Sequence, residues 1–194
     1  RDGKWFVKDI AETEVKRVAR APFTTSTLQQ AASSRLGFAP SRTMKAAQKL
    51  YEAGLITYMR TDSVNLAESA LRQICAVIKS KYGENYLAPK KFANKSKNAQ
   101  EAHEAVRPTD AGKTQAGAGE DQKKLYRLIW QRTIACQMAD AKILRTKITA
   151  NIESGDIPDF AANGSRILFD GWLKADPDAN SAEFALPATK KDDC

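Results

Sequence analysis

Gly54-Leu55-Ile56-Thr57-Tyr58-Met59-Arg60-Thr61-Asp62-Ser63-Val64-Asn65 stands between two helical patterns, and its reading decides how the chain is organised. Upstream, Met44, Ala47, Leu50 and Tyr51 recur at helical spacing from a Ser41 cap to Ala53, and Gly54 sits where a helix stops. Downstream, Asn65 with Glu68 has capping-box spacing, and Leu66, Ala70, Leu71, Ile74 and Ile78 line one helical face as far as Tyr82-Gly83. The apolar run between them predicts a short strand over 55–60, closed by Thr61-Asp62-Ser63. Tyr58 and Arg60, two apart on such a strand, share a side. A phenol beside a guanidinium suits phosphoryl transfer, because the phenol can attack phosphorus while the fork binds the phosphate oxygens and their developing charge. The residues alone leave a plainer reading open, in which the tyrosine packs in a core and the arginine lies on a surface.

Working outward, Ser26 with Gln29 fits a capping box, Leu28, Ala31, Ala32 and Leu36 line a helix, and Gly37 ends it. This helix, the turn Phe38-Ala39-Pro40 and the Ser41–Ala53 helix form a helix-turn-helix-like pair, a pattern any helical hairpin shares. Residues 84–99 read as a lysine-rich loop, 109–119 as a glycine-containing loop, and Glu120–Met138 as a strong helix. Strands are predicted over 5–19, 142–153 and 166–173, with Gly155–Gly164 as a loop and an acidic tail from Asp176. The fold class expected is therefore mixed α and β, a mainly helical body with β-strands on both sides in sequence.

Composition bounds the function. The 194 residues are 42% hydrophobic and 28% charged, as in globular proteins, and no apolar run approaches a membrane span of roughly 18 residues. Residues 1–150 carry 27 Lys/Arg against 14 Asp/Glu, and residues 151–194 carry 4 against 9. A basic body with an acidic end points to a polyanion partner. Cys75, Cys136 and Cys194 have no paired spacing, and His103 is the single histidine, so neither a zinc site nor a disulfide framework is indicated; a reducing cytoplasm is the default. Gly112-Lys113-Thr114 resembles the end of a P-loop, but Arg107 stands where that motif needs glycine, so ATP use is not indicated. The chain begins at Arg1 rather than Met, which suggests processing or a piece of something longer.

Three runs, APFTTSTLQQAASSRLGF (21–38), LYEAGLITYMRTDSVNLAESAL (50–71) and AQEAHEAVRPTD (99–110), in this order and spacing, closely resemble the bacterial type IA DNA topoisomerases. The resemblance covers about 5–173 and is strongest over 21–140. It implies that Tyr58 is the nucleophile that becomes linked to a 5′-phosphate of one DNA strand, and that Arg60 contacts the scissile phosphate. It implies that His103 contacts the DNA backbone. Arg107 has two readings, backbone phosphate or a pair with Glu104. Asp62 either orients Arg60 or caps its turn. Among the hydroxyls of Thr24–Thr27, Thr25 and Ser26 are candidates for phosphate contact, with capping as the alternative.

The resemblance further implies a division into 1–20, first arch-domain strands; 21–140, a tyrosine-bearing gate domain; 141–172, second arch-domain strands; and 173–194, the start of a further domain or a disordered tail. The family's magnesium site lies in an N-terminal TOPRIM domain, which has no counterpart in this sequence, and C-terminal zinc ribbons are likewise missing. The expected function is therefore a piece of an enzyme that relaxes negative supercoils. No metal or cofactor is expected in this piece, and magnesium is expected in the whole. Its partners are single-stranded or negatively supercoiled DNA and the TOPRIM domain of the same protein, with no membrane, in the cytoplasm at the nucleoid. The alternative is a non-catalytic helix-turn-helix module that binds DNA without cutting it.

Overall fold

Helix α1 (Thr25–Leu36) begins at Thr24, whose hydroxyl accepts from the Thr27 amide at 3.3 Å while the Thr27 hydroxyl accepts from the Thr24 amide at 2.9 Å. The capping box expected of Ser26 and Gln29 therefore forms two residues earlier, because the Thr24 side chain reaches an orphan amide first. Gly37 closes α1 at φ 66°, a left-handed conformation that favours glycine. Helix α2 (Pro40–Glu52) starts one residue before the expected Ser41 cap. Pro40 has its φ fixed in the helical range and lacks only an N–H that would be unpaired there, so it opens the helix without a side-chain cap. The computed structural model describes residues 4–92, 104–152 and 157–179.

Helix α3 (Glu68–Tyr82) also departs from expectation, because Asn65 does not cap it. A carboxylate distant in sequence does so instead: Glu104 Oε1 accepts from the Ala67 amide at 2.6 Å. Helix α4 (Glu120–Ala135) packs against α1, α2 and α3. Leu125, Ile129 and Ile134 on α4 are fully buried, as are Leu28, Ala32, Ala47, Leu50, Ile74 and Ile78 from the other helices. Each large apolar side chain so buried contributes about 1.5–3 kcal/mol, which is what joins short helices with weak individual propensity.

Strands β1 (Trp5–Arg17), β2 (Ala141–Ile152) and β3 (Phe160–Phe169) form an antiparallel sheet in that order. Trp5 pairs with Ile152 and Arg17 with Ala141, with a bulge between Val7 and Asp9. β3 begins six residues before the expected 166 and ends before 173 (166 − 160 = 6). The weak β-formers Ala161 to Gly164 are drawn into the strand by pairing with Thr149 to Thr146 of β2.

The described residues divide into two compact units. One is the sheet, drawn from residues up to Val18, Asp140–Gly171 and Ala179; the other is Ala19–Ala139 with Trp172–Asp178. Residues 173–178, which the resemblance gave to the start of a further domain or a tail, cluster together with Trp172 in the helical unit. Trp172, Leu173, Ala175 and Asp176 are all buried. Asp176 holds Arg35 of α1 through two hydrogen bonds, at 2.5 and 3.0 Å. Nearby, the Arg132 guanidinium lies 4.2 Å from the Phe23 ring centroid, and burial pulls its pKa down to about 10. The Asp176→Ala variant leaves Arg35 only its longer contacts to Asp178 and Gln131 and is expected to lose about 1.5–3 kcal/mol of stability in urea unfolding.

The Tyr126 phenol donates to the Lys113 carbonyl at 2.7 Å, and burial pushes its pKa up to about 12. The unfolded phenol ionises near 10, so above that pH the unfolded state holds fewer protons. Stability is therefore expected to fall as pH rises from about 10 toward 12, and Tyr126→Phe is expected to flatten that fall in a pH series of thermal melts.

Candidate functional site

The expected strand at 55–60 does not form. Residues 54–66 run as irregular backbone, apart from one isolated bridge between Ile56 and Pro108. Backbone groups in such a segment need partners from elsewhere, and three elements provide them. From α2, the Leu50 carbonyl accepts from the Leu55 amide at 2.9 Å and the Tyr51 carbonyl from the Gly54 amide at 2.8 Å. From the 104–109 segment, the Arg107 carbonyl accepts from the Thr57 amide at 2.9 Å, and the Thr109 amide donates to the Leu55 carbonyl at 3.1 Å. The Thr57 hydroxyl donates to the Ala105 carbonyl at 2.7 Å and accepts from the Arg107 amide at 2.9 Å. From the start of α1, Thr25 donates its hydroxyl to the Met59 carbonyl at 2.8 Å and its amide to the Thr61 carbonyl at 2.9 Å. The same hydroxyl accepts from the Thr61 amide at 2.8 Å.

This scaffold fixes what the segment shows to solvent. Ile56 and Met59 are buried, whereas Tyr58 is 46% exposed and Arg60 is exposed. With Met59 as the anchor between them, both polar groups are held outward without a sheet beneath. The Tyr58 ring meets Tyr51 of α2 edge to face, with centroids 5.3 Å apart and planes at 64°. An edge-to-face pair restricts the ring's swing while leaving its hydroxyl to solvent.

The other sequence candidates divide. Arg107 takes the pairing alternative: it binds both carboxylate oxygens of Glu104, at 2.6 and 3.2 Å, and the Pro108 carbonyl at 2.9 Å, with only 13% of its side chain exposed. Thr25 directs its hydroxyl to Met59 and Thr61 and so supports the segment. Ser26 is exposed and lies 3.1 Å from the Thr24 hydroxyl, within the capping cluster. Among the described residues no ion pair joins Asp62 to Arg60, and both are exposed. His103 lies outside the described residues. Sequence reasoning missed Thr57, Tyr51 and the capping role of Glu104. Tyr51 was legible only as a helix-face residue, and the other two act through partners far away in sequence. Among the described residues no group of three or more His, Cys, Asp or Glu stands close enough to hold a metal ion. No helix among them is long and apolar enough to cross a membrane.

Comparison with known proteins agrees with this picture. The family model described as DNA topoisomerase matches residues 2–194. DNA topoisomerase 1 of Synechocystis is 44% identical over 202 aligned residues, covering 97% of this chain and 22% of that protein. DNA topoisomerase 1 of Escherichia coli is 48% identical over 162, covering 81% of this chain and 18% of that protein. The structure of full-length topoisomerase I from Thermotoga maritima superposes with a TM-score of 0.82 at 32% identity, covering 98% of this chain and 32% of that one. The chain belongs to the bacterial DNA topoisomerase I family, of the type IA class. It spans about a fifth of the length of curated relatives such as the Synechocystis protein.

Replacing Thr25 by Val keeps the side-chain shape and removes the hydroxyl that serves three backbone groups. The expected cost is about 1–3 kcal/mol. Amide hydrogen exchange is expected to speed up at Thr61.

Proposed function

We propose that this chain is the tyrosine-bearing gate, with adjoining arch strands, of a type IA topoisomerase, and that Tyr58 cleaves one DNA strand. The observation that carries the reading is the rigidly supported, outward-facing pair Tyr58 and Arg60 in a chain of this family. The Tyr58 oxygen gives up its phenolic proton to water and attacks phosphorus of a backbone phosphodiester. A tyrosyl O–P bond forms, the bond from phosphorus to the 3′-oxygen breaks, and the departing oxygen takes up a proton. The downstream strand is left joined through its 5′-phosphate. One phosphoester replaces another, so the reverse attack reseals the strand without ATP. Arg60 carries a permanent positive charge and two-pronged donor geometry, which suits it to the non-bridging oxygens as their charge grows. In this reading His103 holds the backbone near the cut.

The arch comprises 1–20 and 141–172, and the gate 21–140. DNA is engaged single-stranded or negatively supercoiled, in the cytoplasm at the nucleoid. Magnesium belongs to the whole protein, in a TOPRIM domain. The described residues here do not fit a metal, so no step of this chain is routed through one. The 194-residue chain is expected to bind single-stranded DNA in a salt-sensitive way and not to relax supercoils by itself.

The test uses an oligonucleotide labelled at its 3′ end, with sulfur replacing one bridging 3′-oxygen, since a thiolate leaves without needing a proton. The expected outcome is label joined covalently to the chain and lost in Tyr58→Phe. Binding without any adduct, in both proteins, would favour a module that holds DNA and does not cut it.

A further inference from the structure

At the end of α1 away from Thr25 lies a groove of about 650 Å³, wholly within the helical unit. Its walls include Arg35 and Leu36 of α1, Lys124, Arg127 and Gln131 of α4, and Asp178. Along α4, residues 124, 127 and 131 fall at i, i+3 and i+7, which places them on one face. The charges are not balanced. Arg35 is engaged by Asp176 and, at 3.6 Å, by Asp178. Asp121 lies near enough for Lys124 to lower its pKa, but its hydrogen bonds go to Arg42. Lys124 and Arg127 are both exposed, and neither forms an ion pair with a described residue. Lys124 and Arg127 thus have no ion-pair partner among the described residues, and three cations against Asp176 and Asp178 leave the groove with a net excess of one positive charge.

Gln131 gives the second observation. Its side chain lines the groove although only 5% of the residue is exposed. Its Oε1 accepts from Arg35 at 3.4 Å, which leaves its amide nitrogen as the donor end. Among the described residues that nitrogen has no acceptor. A buried donor without a partner costs about 1–3 kcal/mol, and the residue that carries it lines the groove. Two cations and a buried N–H donor on one helix face call for an anion with several oxygens.

We propose that this groove is a second binding site for nucleic-acid backbone phosphate, separate from the Tyr58 surface. Lys124 and Arg127 neutralise the phosphates and Gln131 Nε2 donates to one of their oxygens. The distance follows from the helix itself. Thr25 touches the tyrosine segment, and Leu36 borders the groove eleven residues later, roughly 16 Å along α1. The groove therefore holds backbone that lies beyond the few nucleotides reached by Tyr58 and Arg60. The inference rests on the reading of this chain as a DNA-handling piece.

The test measures binding of a fluorescent single strand and of a duplex to the 194-residue chain across a salt series. Each phosphate contact contributes about 0.7 to the slope of log K against log salt for single strands and about 0.9 for duplex. Lys124→Gln with Arg127→Gln is expected to lower the slope by about 1.4 or 1.8 on whichever form occupies the groove. A control of equal charge change on the sheet, Lys16→Gln with Lys147→Gln, is expected to lower it less. Gln131→Met is expected to weaken binding about tenfold at constant slope, since it removes a donor to a charged acceptor and no charge. An unchanged slope in the α4 variant, or an equal drop in the sheet control, would overturn the groove and leave the Tyr58 reading standing. No binding of either DNA by the wild-type chain would sink both.

Discussion

Everything at the tyrosine depends on finding partners for the amides and carbonyls of an irregular segment. The chain at 54–63 forms neither helix nor sheet, so it lacks the internal ladder that usually satisfies these groups. The 104–109 segment supplies the missing edge. It bonds to Leu55 and Thr57 on one side, and its Val106 amide donates to the Phe23 carbonyl at 2.8 Å on the other. Its Glu104 also closes the start of α3. One short run thus ties together the approach to α1, the exit from α2 and the entry to α3. The stability of the exposed pair is borrowed from the core through this run, which explains why so polar a stretch as EAVRPTD (104–110) has structural work to do.

The same logic separates support from display. Thr25, Thr57 and Met59 turn inward and fix the backbone; Tyr58 and Arg60 turn outward and stay accessible. Precision in a reactive group on a loop requires that the loop's own conformation be overdetermined. Here three separate elements determine it. The tyrosine segment is therefore better regarded as part of the helical core's surface than as a mobile connection.

Much of this was readable from spacing. The helices at 25–36, 40–52, 68–82 and 120–135 follow the apolar periodicity, and Gly37 marks an end as expected. Their starts were less legible. Thr24, Pro40 and Glu104 each displaced a local cap candidate, because capping is a competition among nearby groups, and the winner at α3 comes from far along the chain. The strand expected at 55–60 failed for a related reason: alternation shows that alternate residues are buried, not that a neighbouring strand exists to pair with. At the site, the sequence offered Arg107 either a backbone phosphate or Glu104, and the fold shows the pair with Glu104 formed. Thr57 and Tyr51 carry no signal of their own, since a threonine hydroxyl bonded to a carbonyl 48 residues away leaves no trace in local pattern.

The pairing of β1 with β2 also has a consequence for how the chain is made. Arg17 waits for Ala141, and residues Ala19–Ala139 of the helical unit are synthesised in the interval. At about 5–20 residues per second, the finished β1 waits roughly 6–25 s before β2 exists to pair with it. A bare strand of that length invites pairing with the wrong neighbour. Lys8, Asp9, Glu12, Glu14, Lys16 and Arg17 crowd β1 with both signs of charge. The sheet can spare these positions because much of β1 is exposed even when paired. The charges that weaken β1 as a core element are what keep it soluble while its partner is still being translated.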